Sequence, residues 1–180
     1  MKEYIRTADR DGYRSKRELY EDLKRHLNMK QEHTTIEDML HFWFSEFPKC
    51  TELMEGAQDV IEHLKSKQIK LGIITNGAVH TQHAKIDQAG IRPYFDCIVV
   101  SDEVGVKKPD RQIFDIALER LNIHPQQTWY VGDHPRNDVH GAREAGLQAV
   151  WLEGFMEWDA AIEPPEYVIT HLKQLQSYFK

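Results

Sequence analysis

Apolar and polar positions change their rhythm along this chain near Pro48. Before that point Leu19, Leu23 and Leu27 recur at helical spacing, and a second amphipathic pattern covers residues 36–47. After Pro48, short apolar runs alternate with amphipathic segments, which is the pattern of parallel strands joined by crossover helices. The sequence therefore predicts a helical segment over residues 1–48 and an α/β core over residues 49–180.

Five short apolar runs mark the predicted strands of this core. They cover residues 70–75, 97–101, 128–132, 148–152 and 167–169. The predicted helices cover residues 53–67, 79–89, 111–121 and 136–145, and a last one begins at His171. Because strands so short and apolar are typical of a sheet covered on both faces, the predicted fold class is α/β, a doubly wound parallel sheet.

Composition limits the partners that the chain is expected to have. The formal net charge is -6 and the sequence pI is about 5.9, so no general electrostatic attraction to nucleic acid or to an anionic membrane is expected. No apolar stretch has the length of a signal peptide core or a membrane span, which favours a cytoplasmic protein. Cys50 and Cys97 lie far apart in apolar surroundings and are expected to be buried, reduced thiols.

Polar residues follow two of the predicted strands at the ends where open parallel sheets bind ligands. Thr75, Asn76 and Gly77 end the first strand, and Lys108 follows the second strand just before a helix. A hydroxyl, main-chain N–H groups and an ammonium are suitable ligands for phosphate, so these four residues are the predicted phosphate-binding set. Taken singly, each has an ordinary alternative as a turn or as an exposed helix start.

Two carboxylates follow the third predicted strand. Asp133 comes directly after Gly132, and Asp138 lies five residues later, at the start of a predicted helix. A magnesium ion typically takes one or two carboxylates together with water and substrate phosphate, so this pair predicts a Mg²⁺ site. Helix capping is the alternative explanation of the pair. Thr75, Lys108 and Asp133 are the predicted catalytic residues, since charge stabilisation is most of the work in phosphoryl transfer.

The run from Gly132 to Gly146 resembles the fourth motif of haloacid dehalogenase-like hydrolases. Thr75, which follows an apolar strand, resembles the second motif of that family, and Lys108 before Pro109 resembles the third. The resemblance implies a magnesium-dependent phosphatase that acts on a small phosphate ester, and it makes residues 1–48 the remnant of a helical cap. Because the cap selects the substrate in this family, phosphosugars, nucleoside monophosphates and phosphoglycolate-like acids stay open.

The family's first motif, an apolar strand that ends in Asp-x-Asp-Gly and carries the nucleophile, has no convincing match. The one literal match is Asp9-Arg10-Asp11-Gly12, and the eight residues before it are too polar for a central strand. A polar turn before a cap helix is therefore expected there. Without the central strand, two strand edges would lack partners, which predicts self-association through the gap in the sheet.

Three accounts of the missing motif are open. The sequence is a shortened reading frame of a phosphatase and is inactive as given, or the chain fills the gap with its own N-terminus or with a partner, or it is a non-catalytic protein that binds phosphate, metal or another protein. The first account is favoured because Thr75, Lys108 and both carboxylates of the predicted metal site are present. Dehalogenation of a haloacid is a further enzymatic alternative, but Asp133 and Asp138 favour phosphate, since a metal offsets phosphate charge and a halide needs none.

Overall fold

The computed structural model describes residues 2–9, 14–26 and 35–179, which form two compact units, Met1–Cys50 and Thr51–Lys180. The helices of the first unit are α1 (Lys2–Asp9), α2 (Lys16–His26), α3 (Ile36–Glu46) and a 3₁₀ turn (Phe47–Cys50). The two predicted helices correspond to α2 and α3; residues 27 and 28 lie outside the described residues. Cys50 is exposed, so the prediction that both thiols are buried is wrong for this residue and right for Cys97.

Local sequence explains where the helices of the first unit begin and what they bury. Thr35 accepts a hydrogen bond from the main-chain N–H of Asp38, whose carboxylate in turn accepts from the Thr35 N–H, and this capping box starts α3. Leu19 and Leu23 form the buried side of α2. Trp43 stacks on Phe47 with ring centroids 4.2 Å apart.

The second unit has five strands and five α-helices among its described residues. The strands are β1 (Gly72–Thr75), β2 (Cys97–Val100), β3 (Trp129–Gly132), β4 (Gln148–Leu152) and β5 (Tyr167–Ile169). The helices are α4 (Ala57–Ser66), α5 (Val79–Gln88), α6 (Ser101–Val104), α7 (Arg111–Leu121) and α8 (Gly141–Glu144). Shorter turns of helix lie at Arg92–Tyr94, Pro125–Gln127, Pro135–His140 and Leu172–Ser177.

The strands form two parallel sheets instead of one. β1 pairs with β2, and β3, β4 and β5 pair in that order, with every pair parallel. Among the described residues no main-chain hydrogen bond joins β1 to β3. An apolar groove of about 740 Å³ separates these two strands. The α/β class with parallel strands is confirmed, and the predicted gap lies between the strands that end at Thr75 and Gly132.

Three predicted helices differ from the observed ones for local reasons. α4 begins at Ala57 because Gly56 takes a left-handed conformation, with φ of 77°, which ends the preceding turn. The predicted helix 136–145 opens as a π-helical turn over Pro135–His140 and becomes α-helical only at Gly141. The last predicted helix is a 3₁₀ helix over Leu172–Ser177. In the part of the chain that the structure describes, no helix combines the length and apolar character needed to cross a bilayer.

Candidate active site

A buried ion pair lies at the carboxyl end of β3. The Lys108 Nζ is 2.5 Å from Asp138 Oδ1, and the two side chains are only 12% and 6% exposed. The same Nζ donates to the Tyr130 hydroxyl at 3.0 Å, and that hydroxyl lies 3.2 Å from Asp138 Oδ1. Lysine is costly to bury unless it is paired, so this arrangement fixes one ammonium at a defined place. The sequence placed Lys108 and Asp138 in the site but did not predict that they bind each other.

The backbone around Asp138 is shaped to bring its carboxylate under the end of β3. The second carboxylate oxygen accepts the main-chain N–H of His134 at 3.0 Å. A Cβ on Gly132 would lie 2.4 Å from the Asp138 Cβ, so only glycine allows this approach. The wide π-helical turn that follows carries Asp138, and such turns are frequent at functional sites.

Asn76 ties the loop that carries Lys108 to the end of β1. Its Oδ1 accepts the Lys108 main-chain N–H at 2.9 Å, and its Nδ2 donates to the Lys108 carbonyl at 3.0 Å. These two hydrogen bonds fix the Lys108 backbone relative to the end of β1. The direct contact of Asn76 with phosphate stays a prediction, and both polar ends of its side chain have protein partners in this structure.

The remaining members of the predicted phosphate set lie at the same edge. Thr75 ends β1, and its half-buried side chain makes no hydrogen bond with other described residues. The Gly77 N–H donates to the Ser101 hydroxyl at 2.9 Å. Gly77 has φ of 141°, and a Cβ there would lie 2.5 Å from the Gln82 amide nitrogen, so the turn requires glycine.

Asp133 directly follows β3, and its carbonyl accepts the indole N–H of Trp151 at 3.0 Å. Among the described residues its carboxylate makes no hydrogen bond or ion pair, so both oxygens are available to a ligand. No group of three or more His, Cys, Asp or Glu side chains within the described residues could hold a metal ion. Magnesium sites often have only one or two protein carboxylates, with water and substrate phosphate as the other ligands. The residues present fit such a site, and Asp133 offers the accessible carboxylate.

Two other polar side chains beside Asp133 have structural partners. The His134 ring nitrogen Nδ1 accepts the main-chain N–H groups of Arg136 and Asn137, each at 3.3 Å, and so caps the following turn. The Arg136 guanidinium donates to the Asp159 carboxylate at 3.0 Å. The pKa of Asp159 lies below its usual value, mainly because its carboxylate accepts the main-chain N–H of Ala161 and also because of the Arg136 guanidinium.

The predicted first-motif match lies in the first unit. Asp9 is the last residue of helix α1, and its carboxylate forms an ion pair with Lys16. Residues 10–13, which include the second aspartate of the match, lie outside the described residues. The prediction that the preceding residues do not form a strand is confirmed, because residues 2–9 are helical.

Sequence reasoning missed Tyr130, Ser101 and Trp151 as residues that hold the site together. Tyr130 lies inside an apolar strand, where its ring contacts Phe114 at 5.1 Å and its hydroxyl reaches Asp138. A tyrosine buried in a strand usually has a hydrogen-bonding partner for its hydroxyl, and this rule could have indicated that Tyr130 contacts a polar residue of the site. Nothing in the spacing of Ser101 or Trp151 indicates the main-chain group that each one binds.

Comparisons with known proteins match most of the chain to one family of hydrolases. The profile of the family described as haloacid dehalogenase-like hydrolase matches residues 9–152. The chain is 36% identical over 128 residues to a pyrimidine 5'-nucleotidase, YjjG, of Escherichia coli, covering 71% of this chain and 56% of that protein. It is 37% identical over 132 residues to a glyceraldehyde 3-phosphate phosphatase of Pyrococcus furiosus, with 71% and 55% covered.

The solved structures give the same result. The putative hydrolase YfnB of Bacillus subtilis, solved bound to magnesium, superposes with a TM-score of 0.78 at 26% identity. That superposition covers 99% of this chain and 78% of the YfnB chain. The chain spans only about half the length of the two relatives named above, at 56% and 55%. On the extent of the profile match and these identities, the chain belongs to the haloacid dehalogenase-like hydrolase family.

Proposed function

We propose that this chain provides the phosphate- and metal-binding core of a phosphatase that hydrolyses a small phosphate ester with magnesium. The observation that carries the proposal is the buried Lys108–Asp138 pair at the carboxyl end of β3, beside the accessible carboxylate of Asp133. A protein that only needed stability would gain little from an ion pair buried at this depth, because desolvation offsets the attraction. A fixed ammonium is, in contrast, useful for neutralising phosphoryl oxygens.

Each residue has a distinct task in this proposal. The Lys108 ammonium, held by Asp138 and Tyr130, faces the phosphoryl oxygens on which charge accumulates during transfer. The hydroxyl of Thr75 donates a hydrogen bond to one of these oxygens. Asn76 positions the Lys108 backbone, so its contribution to phosphate binding comes through Lys108.

Magnesium is assigned to the Asp133 side of the site. Asp133 would be its first protein carboxylate. Asp138 Oδ1 is occupied by Lys108 and Tyr130, whereas Oδ2 accepts one main-chain N–H, from His134, and keeps a lone pair that a metal ion could use. When bound, Mg²⁺ would neutralise phosphate charge and orient the ester. The assignment of Asp138 as a metal ligand therefore stays a prediction, and Asp133 is the stronger candidate.

Attack on phosphorus requires a nucleophile in addition to this binding set. In the cluster described here, Asp133 is assigned to the metal and Asp138 to Lys108, so the attacking carboxylate must come from outside these two residues. If the chain supplies that carboxylate itself, it is an active phosphatase. If it does not, it is a protein that binds phosphate or metal. In either case, we propose, the residues that bind and polarise the phosphate ester belong to this chain.

The test is hydrolysis of p-nitrophenyl phosphate by the 180-residue chain, with magnesium and with a chelator. We expect metal-dependent turnover that Asp133→Asn abolishes and that the matched control Asp102→Asn, an exposed residue of α6, leaves unchanged. Asp9→Asn asks whether the first unit supplies the nucleophile. Turnover that is independent of metal and of Asp133 would contradict the proposal. A folded chain with no turnover would contradict hydrolysis by this chain alone and favour the binding protein.

The substrate class is proposed as a small phosphate monoester. Among the relatives named above, one is a nucleotidase and one a phosphatase of a three-carbon phosphosugar, so nucleoside monophosphates and phosphosugars are the first classes to assay. We further propose that the helical unit, residues 1–48, acts as the remnant of a cap that selects among them. Loss of selectivity, with p-nitrophenyl phosphate turnover retained, is the result expected when exposed residues of α3 such as Phe42 are replaced by alanine.

A further inference from the structure

The loop that follows β4 lies at the same edge of the sheet as the candidate active site. β3 and β4 are parallel and pair Gly132 with Trp151, so the two strands end side by side. Asp133 follows the first strand directly, and residues 153–166, here called the rim loop, follow the second. The indole N–H of Trp151 donates to the Asp133 carbonyl at 3.0 Å and joins the two strand ends. The rim loop therefore begins beside the proposed metal carboxylate.

Three contacts anchor the middle of the rim loop. The Trp158 ring packs edge-on against the Trp151 ring, with centroids 4.9 Å apart. The indole N–H of Trp158 donates to the Ile162 carbonyl at 3.1 Å. Asp159 accepts a hydrogen bond from the Arg136 guanidinium at 3.0 Å, and Arg136 belongs to the π-helical turn of the site. The loop is therefore held to the active-site end of the sheet.

Phe155, near the start of the rim loop, is exposed although its side chain is aromatic. Its exposed fraction is 52%, and it lines the groove together with Gly132 and Asp133. Gly154 before it has φ of 111°, and a Cβ on Gly154 would meet no other atom within 4 Å. The turn therefore requires glycine because of its backbone conformation alone. The result is an apolar ring presented at the edge of a polar site.

A ligand that covered the Phe155 ring would gain the apolar contact that the ring lacks in the free protein. In the proposed function the phosphoryl group binds between Lys108 and Asp133, so the leaving group of the ester extends outward to the rim. A three-carbon phosphosugar presents hydroxyl groups and no planar face. A nucleobase presents a planar π face, and bases stack on aromatic side chains.

We infer that Phe155 is a specificity-determining residue of the proposed site, which stacks on the aromatic ring of the leaving group and favours nucleoside monophosphates over phosphosugars. The inference rests on the proposed function, because it concerns the leaving group of the same reaction. It assigns part of the selectivity to the α/β unit, in addition to the part proposed for residues 1–48. The anchors of the rim loop hold the ring in place before the ligand binds, which lowers the entropic cost of binding.

Calorimetry with two phosphonates tests this selectivity without hydrolysis. The probes are analogues of uridine monophosphate and of glycerol phosphate in which a methylene group replaces the bridging ester oxygen, and each is titrated with Mg²⁺ present. We expect the wild type to bind the uridine probe at least about fivefold more tightly, the lower end of what stacking of one base contributes. Phe155→Ala should remove this preference and leave the affinities for the glycerol probe and for inorganic phosphate unchanged.

Further variants distinguish stacking from other effects. Phe155→Trp keeps a planar ring and should keep the preference, whereas Phe155→Leu keeps an apolar side chain and should lose most of it. Gly154→Ala strains the backbone without a steric clash, so it should displace the ring and weaken binding of the uridine probe alone. Val168→Ala, at an exposed position of β5, is the matched control and should bind both probes like the wild type. Near-UV circular dichroism establishes that each variant is folded.

A separate measurement distinguishes failure of this inference from failure of the proposed function. The NMR signals of the Phe155 ring, assigned with Phe155→Leu, should shift when uridine without phosphate is added. Equal binding of the two probes, or a preference that Phe155→Ala leaves unchanged, would overturn the inference and leave the proposed function intact. A folded chain that binds neither the probes nor inorganic phosphate would contradict the proposed function. In that case the stacking site would stand if uridine still shifts the Phe155 signals, and it would be overturned if uridine does not.

Discussion

Replacing Lys108 by methionine tests whether the buried ion pair is the organising contact of the site. The substitution keeps an unbranched side chain of similar length and removes the ammonium, whose Nζ lies 2.5 Å from Asp138 Oδ1 and 5.6 Å from the centroid of the Tyr130 ring. Asp138 would stay 6% exposed, with the Tyr130 hydroxyl and the His134 N–H as its remaining partners. Removing one partner of a buried pair typically costs about 3–5 kcal/mol, and the two remaining hydrogen bonds place the expected loss near about 3 kcal/mol.

A double-mutant cycle gives the coupling within this pair. Asp138→Leu alone leaves the ammonium without its carboxylate and should cost a similar amount. The double variant replaces both charges by apolar groups, so its loss should be smaller than the sum of the two by about 2 kcal/mol or more. Lys107→Met, at an exposed neighbouring position, is the matched control and should change stability by less than about 0.5 kcal/mol.

Urea unfolding followed by tryptophan fluorescence measures these losses. In a Trp43→Phe background the three remaining tryptophans all lie in the second unit, so the transition reports on the site's own unit. The midpoint should fall while the slope with urea stays constant. A Lys108→Met variant as stable as Lys107→Met, or losses that add without coupling, would refute the claim that this pair organises the site.

Three further predictions concern single positions. Gly132→Ala should lower the free energy of unfolding by about 2–3 kcal/mol, because the new Cβ would lie 2.4 Å from the Asp138 Cβ. Urea unfolding measures this loss, and a loss below about 1 kcal/mol would contradict the steric argument. Asn76→Ala removes both hydrogen bonds to the Lys108 backbone and should weaken the binding of inorganic phosphate by about tenfold, measured by calorimetry. An unchanged phosphate affinity would contradict the role of Asn76 in positioning Lys108. Asp96→Asn should cost about 1 kcal/mol at neutral pH, since a main-chain N–H and then Lys65 hold the Asp96 pKa below its usual value. Because that pKa is lowered on folding, the cost should be complete above the unfolded-state pKa of about 4 and shrink as the pH falls through the native pKa; a pH-independent cost contradicts the assignment.

The strands were predictable because each is a short apolar run bounded by polar or turn residues. Residues 148–152 and 167–169 are strands with the predicted bounds, and the helix predicted over residues 111–121 is α7. The start of α4 was missed because the left-handed conformation of Gly56 overrides the apolar pattern that extends back to Leu53. Periodicity alone cannot distinguish the two conformations of a glycine.

The sequence predicts which polar residues lie at the strand ends, but it does not predict how they pair. The polar residues at the strand ends could be named because parallel strands bring their carboxyl ends to one edge of a sheet. Lys108 and Asp138 are 30 positions apart, and no spacing rule indicates that they pair. The π-helical turn that carries Asp138 places this residue close to Gly132, and neither the turn nor the contact leaves a periodic signal in the sequence.

The most direct test of the central claim, that Asp133 and Lys108 form a joint magnesium and phosphate site, is calorimetric titration of inorganic phosphate with and without Mg²⁺. Two ligands that bind one site cooperatively must strengthen each other's affinity by the same factor. The account predicts tighter phosphate binding in the presence of Mg²⁺, a loss of this coupling in Asp133→Asn, and a loss of phosphate binding in Lys108→Met. Phosphate affinity that is the same with and without Mg²⁺, or unaffected by both variants, would contradict it.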